Sequence, residues 1–186
     1  MEKVQVEGRL FYRLMYPRPT ILVTCVDPST GRPNIITLAW STPLSFTPSL
    51  VGISISPQRY SHDLIAKTGE FVVNIPTAAI AAQALICGRI SGREVDKFQV
   101  SGLTPKPSRR VRPPIINECA AHLECRVVNS ITTGDHTLFV GEILAAYANK
   151  NLLRGGLINN EKFRALLHLA EDHFTTTVEA TLTPKI

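Results

Sequence analysis

Residues 34–63, NIITLAWSTPLSFTPSLVGISISPQRYSHD, decide how this chain is read. Pro33 to Trp40 is β-branched and apolar and predicts a strand. Thr42 to Ser49 carries Pro43 and Pro48 and reads as a connection. Leu50 to Ser56 alternates, with Val51, Ile53 and Ile55 on one face and Leu50, Gly52, Ser54 and Ser56 on the other. The first face belongs in a core. The second is small and hydroxylic, which suits close approach of a ligand or another backbone and equally suits a half-exposed strand.

The polar turn from Ser56 to His62 follows. Ser61 is the expected N-cap of a short helix that turns Leu64 and Ile65 inward and stops at Gly69. Amide groups at a helix start, the Ser61 hydroxyl and the planar fork of Arg59 would favour a phosphate. Lys97 adds charge if the fold brings it near. The plainer reading of the same residues is a capped helix beside a solvated arginine.

Working outward, Thr20–Val26 is a strand that pairs with Pro33–Trp40 across the turn Asp27–Gly31. Residues 1–15 alternate weakly and predict a peripheral strand, halted by Tyr16-Pro17-Arg18-Pro19. On the other side, Glu70–Ile75 is a strand, and Thr77 opens a helix through Cys87 that Gly88 ends. Ser91–Gly102 holds a turn with Asp96, Lys97 and Phe98, and Pro105–Pro114 is extended and basic. Ala120–Ile131 and His136–Tyr147 are strands about a turn at Thr132–Asp135, with Gly141 at a bulge or bend. Helical periodicity fits Glu161–Leu169, and Phe174–Leu182 alternates again. Strands at hairpin spacing with few helices predict an antiparallel barrel or sandwich rather than a doubly wound sheet. Barrel closure would remove the apolar edges such strands leave open.

At 186 residues the chain is expected to be a single domain, 1–186, with a sizeable core. Its 44% apolar and 19% charged content argues against disorder. The net charge of +5 comes from scattered Lys and Arg, which argues against a nucleic-acid surface, and attraction of an anionic cofactor or substrate explains the balance equally well. Cys25, Cys87, Cys119 and Cys125 form no C-x-x-C pair and read as reduced thiols of a cytoplasmic protein. The N-terminus lacks an apolar leader, and no run approaches membrane-spanning length. Phosphate-loop, G-x-G-x-x-G and G-x-S-x-G motifs are absent, and the five histidines show no metal-binding spacing.

In order, the chain presents the hairpin Thr20–Trp40, GISIS (52–56), SPQRYSH (56–62), EFVVNIP (70–76), VDKF (95–98) and GDHTLFVGEI (134–143). Together these resemble the flavin reductase-like, FMN-binding split-barrel family, flavoredoxin-type proteins in particular, over roughly residues 10–182. The resemblance implies a mainly β fold: a six-stranded antiparallel split barrel of Greek-key type with short flanking helices. It further implies a homodimer holding one non-covalent FMN per subunit near the dimer interface. On the same basis the flavin ring would meet Thr37, Leu38, Ala39 and Trp40. The phosphate would meet Ser56, Gln58, Arg59, Ser61 and His62, with help from Lys97. His136 matches a position on the nicotinamide side, and reads as well as a strand-start histidine bonded structurally.

The implied activity is electron transfer from NAD(P)H through FMN to a flavin or other acceptor. A carrier that docks with redox proteins without nicotinamide is the alternative, and a structural dimer with a lost flavin site a third. Neither a metal nor a nucleic-acid or membrane partner is expected. One departure stands out. Where the family segment places two glycines ahead of an aromatic residue, this chain has Ala170 and Glu171 ahead of Phe174.

Overall fold

The computed structural model describes residues 1–184, for Arg9 the backbone alone; the last two residues of the expected domain lie outside them. Seven antiparallel strands form the main sheet: β1 (Ile21–Val26), β2 (Pro33–Leu38), β3 (Ser41–Ser45), β4 (Leu50–Ile55), β5 (Glu70–Ile75), β6 (Ala121–Thr133) and β7 (His136–Ala148). Their order is β2-β1-β5-β6-β7-β4-β3. The two edge strands, β2 and β3, are consecutive in the chain and joined only through Ala39 and Trp40. The sheet must therefore curl until its edges nearly meet, and the Ser54 amide bonds the Trp40 carbonyl at 2.9 Å, which carries the β3–β4 ladder into that two-residue link. That curl is the split barrel.

Cores lie on both faces of the curled sheet. Inside, Ile21, Val23, Ile53, Phe71 and Phe139 pack with Leu64 and Ile65 of α1 (Tyr60–Thr68). Outside, Leu22 and Ile35 pack against Ala84 and Cys87 of α2 (Ala81–Arg89) and Phe98 of α3 (Lys97–Ser101). Strand β1 is buried along its whole length, which is why it reads as a continuous apolar run rather than an alternating one. At Gly141 the β6–β7 register shifts, and an added Cβ would lie 2.4 Å from Phe71 Cζ. The predicted bulge thus makes room for a core ring.

Several expectations are corrected. The stretch Thr42–Ser49, read as connection, largely supplies a seventh strand, Ser41–Ser45; an edge position tolerates Pro43 because no outer neighbour needs its missing N–H. Residues 8–15 form a 3-10 helix, not a strand, and carry Tyr12 inward against Trp40. Helical periodicity at 161–169 gives way to β8 (Leu166–Ala170), paired with Arg18–Pro19 and with β9 (His173–Thr176). Helix α2 continues through Gly88 to Arg89. Helix α1 starts at Tyr60, with Arg59 as the cap residue and no side-chain cap bond. Ser61 sits inside the first turn, and its oxygen accepts from Asn34 Nδ2 at 2.7 Å. Gly69 ends α1 in the left-handed conformation as predicted, at φ 67°.

The basic segment 105–114 is exposed but not loose. The amides of Arg109 and Arg110 donate to Glu124, a carboxylate fully buried on β6 that also accepts from the Tyr147 hydroxyl. Burial alone would raise the pKa of Glu124. The Arg109 amide, the Tyr147 hydroxyl and the following amides outweigh it and hold the group below the ordinary glutamate value.

Candidate functional site

Where the curled sheet fails to close, the edge of β2 has no strand neighbour and its outer backbone groups are left for other partners. A cavity of about 710 Å³ opens along this seam. Thr37, Leu38, Ala39 and Trp40 line it on the β2 side, and Ser56, Gln58, Arg59 and Ser61 at the start of α1. Lys97 and His136 line it too. His62 does not belong with them. Its Nε2 lies 2.9 Å from Thr137 Oγ1 and its ring packs on Phe139 at 5.1 Å, because the helical turn that aims Ser61 at the cavity swings the next residue toward β7.

Electrostatically the α1–α3 end of the cavity is built for an anion. Lys97 is 5% exposed, and its Nζ donates to the carbonyls of Ile35 (2.8 Å) and Cys87 (2.6 Å). Burial lowers its pKa, and no carboxylate pairs with it among the described residues. Two of three ammonium protons are thus used, leaving the charge itself uncompensated. Arg59 is exposed and its guanidinium has no partner among the described residues, whereas Arg93 is held by Asp63 and Arg89 by Asp172. No side chain caps the first-turn amides of α1.

Glycines bring α2 and its following loop close. A Cβ on Gly88 would lie 3.3 Å from Thr37 Cβ, and one on Gly92 would lie 1.9 Å from Asn34 Oδ1. The tight approach at Gly92 lets buried Asn34 hold Ser61. Cysteine chemistry is excluded by burial: all four thiols are free and buried, with Cys25 pushed up to about 11 and Cys125 to about 12.

The opposite end is aromatic, and of its residues sequence reasoning placed only Trp40 and His136 in the site. Tyr12 and Tyr16 reach the cavity from the N-terminal segment, His168 and Phe174 from β8 and β9. Trp40 lies 4.8 Å from the His136 ring, and its Nε1 donates to the Tyr16 hydroxyl at 3.4 Å. His136 Nδ1 is 2.7 Å from Asp135 Oδ1. Residues this far apart in the chain carry no shared motif, so only the fold could assemble them. No cluster able to hold a metal occurs among the described residues.

This seam cavity, on this topology, coincides with a match to the flavin reductase like domain over residues 11–167. The chain belongs to that family. A protein of Archaeoglobus fulgidus is 45% identical over 130 residues, covering 70% of this chain and 72% of its own. Among solved structures, the flavoredoxin of Methanosarcina acetivorans is similar at 29% identity and a TM-score of 0.85, covering 98% of this chain and 95% of that one. An FMN-binding protein from Thermus thermophilus, solved with bound 1-cyclohex-2-enone, matches at 30% identity and a TM-score of 0.84, covering 99% and 100%. In this flavin reductase-like chain the departure at residue 171 has a geometric meaning. Glu171 has φ 51°, a conformation that favours glycine, and its carboxylate pairs with Arg13 Nη2 at 2.8 Å.

Proposed function

We propose that the chain, as one domain over 1–186, binds FMN non-covalently in the seam cavity and acts as an oxidoreductase that takes electrons from NAD(P)H. The observation that carries this reading is buried Lys97, an ammonium without a carboxylate on the wall of an open cavity. A buried cation in that state needs an anionic partner, and a phosphate meets the need. The residues fit such a group. Arg59, the uncapped amides of α1 and the Ser61 hydroxyl would hold the phosphate with Lys97, with Ser56 and Gln58 beside them. The free edge of β2 at Thr37–Ala39 would meet a flat polar ring, with Trp40 at its margin. FMN, when bound, supplies hydride acceptance and onward electron transfer. The protein's part is orientation: Asn34 fixes Ser61, the glycines at 88 and 92 bring α2 against β2, and the aromatic wall keeps bulk water from one side. His136, which lines the cavity, would serve the nicotinamide side.

A homodimer in the cytoplasm belongs to the same proposal. Apolar side chains such as Phe46, 98% exposed, are what a second copy would cover. No helix among the described residues is long and apolar enough to cross a membrane. The purified protein is expected to be yellow and to bleach anaerobically with NADH or NADPH. A colourless protein that cannot be loaded with FMN refutes the cofactor. Colour that survives both nicotinamides but bleaches with dithionite refutes the reductase and leaves an electron carrier.

A further inference from the structure

The aromatic end of the cavity contains two buried polar atoms with no hydrogen-bond partner among the described residues. Thr20 is 3% exposed, and its Oγ1 has no hydrogen-bond partner among the described residues. His168 Nδ1 is buried and partnerless too. Both residues line the cavity. Strand pairing makes them neighbours: Arg18 faces His168, Pro19 faces Leu167, and the Thr20 amide bonds the Leu166 carbonyl at 2.9 Å. By alternation Thr20 and His168 share a face as a diagonal pair.

The histidine is held in one orientation. Its Nε2 lies 3.1 Å from the Glu171 carbonyl, which only accepts, so Nε2 carries the proton and Nδ1 of the neutral ring is an acceptor. Tyr16 and Phe174 flank the ring, each at 5.4 Å. The Glu171 carbonyl is aimed by a left-handed backbone, and the Glu171 side chain pairs with Arg13. Strain, ion pair and ring packing therefore converge on presenting one unused acceptor beside one unused hydroxyl. Buried polar groups are ordinarily satisfied, and a pair left open on a cavity wall marks a ligand contact.

We propose that Thr20 and His168 form a subsite for an amide edge, an N–H beside a C=O. The hydroxyl donates to the carbonyl, and Nδ1 accepts the N–H. Two ligands of the proposed reaction carry that edge: the pyrimidine side of the flavin and the carboxamide of nicotinamide. The inference rests on the flavin reading only for the choice between them.

The test compares the wild-type chain with Thr20→Val, which keeps the shape and removes the hydroxyl, and His168→Phe, which keeps a ring between Tyr16 and Phe174. Each is titrated with FMN and N3-methyl-FMN by flavin fluorescence. FMN-loaded protein, or the chain as purified if FMN does not load, is titrated calorimetrically with NAD⁺ and its acetylpyridine analogue. Loss of one neutral hydrogen bond corresponds to about threefold to tenfold in affinity. Wild type preferring FMN over its N3-methyl form by that factor, with the preference lost in the variants, assigns the edge to the flavin. Preference for NAD⁺ over its analogue, lost in the variants while FMN is unaffected, assigns it to the carboxamide. Failure of FMN to bind, with the NAD⁺ preference intact, removes the flavin reading and leaves the subsite. Wild type without either preference, or variants that keep them, overturns it. Thermal midpoints establish folding, and one folded variant suffices.

Discussion

Replacing Lys97 by Met tests the anion site most directly. The side chains have similar length, so the change removes the ammonium while filling its space. A unit charge about 4 Å from one phosphate charge gains about 4 kcal/mol at an effective dielectric near 20. Desolvation offsets part of that, and charge-assisted hydrogen bonds contribute about 1.5–3 kcal/mol net. FMN should therefore bind the variant about 10- to 100-fold more weakly. Riboflavin, which has the ring but not the phosphate, should bind both proteins alike. The pH dependence follows from the same burial, which lowers the Lys97 pKa in the folded chain. Phosphate binding favours the ammonium, so FMN affinity in the wild type should fall as pH rises through that lowered value, and should not in the variant. Without ligand the sign is opposite. Across the window between the folded pKa and the ordinary lysine value near 10.4, the unfolded chain holds more protons, so stability rises with pH. Fluorescence titration at neutral and alkaline pH, with a thermal melt of each protein, provides the measurement. An unchanged FMN affinity, or equal losses for FMN and riboflavin, would refute the assignment of Lys97 to a phosphate.

Arg59→Ala should weaken FMN binding by less, about three- to tenfold, and the loss should shrink in high salt because this guanidinium is exposed. Titration at two salt concentrations decides it. Gly92→Ala forces a Cβ against Asn34 Oδ1, breaking the Asn34–Ser61 bond. We expect about 1–3 kcal/mol of lost stability in urea unfolding together with weaker FMN binding. Glu124→Gln leaves the amides of the 105–114 segment without their charged acceptor. Trypsin should then cut at Arg109 or Arg110 faster than in wild type. Because the folded pKa of Glu124 is depressed, its stabilising contribution is present at neutral pH and lost as pH falls through that folded value. Wild type should therefore keep its resistance in mild acid, which lies above that depressed value, and equal resistance of wild type and variant at neutral pH would remove Glu124 as the anchor.

Much of the fold was legible because strands announce themselves locally. The runs that became β1, β2, β4, β5, β6 and β7 all stood out by β-branched content and alternation, and Gly69 and Gly141 marked a helix end and a bulge. Where local signals misled, tertiary pairing had overridden them. Pro43 argued against a strand that an edge position permits. The helical spacing at 161–169 yielded to partners supplied by residues 18–19 and 173–176. His62 was included with Ser61 through the family resemblance, yet one step along a helix rotates a side chain by about 100°, enough to point it at Thr137 instead.

The sequence by itself determined six of the seven strands of the main sheet, the polar turn at 56–62 and, through the order of its motifs, the family. Those properties are carried by neighbours in the chain, whose spacing sets which face each side chain takes. Only the tertiary structure decided that Lys97 lies buried on two carbonyls, that Arg13 pairs with Glu171 at a glycine-like turn, and that Thr20 Oγ1 and His168 Nδ1, on one face, are left without a partner among the described residues. Each of these joins segments tens of residues apart, and no local periodicity encodes such a meeting. The seam cavity exists because the first and last strands of the curled sheet are consecutive in the chain and do not pair.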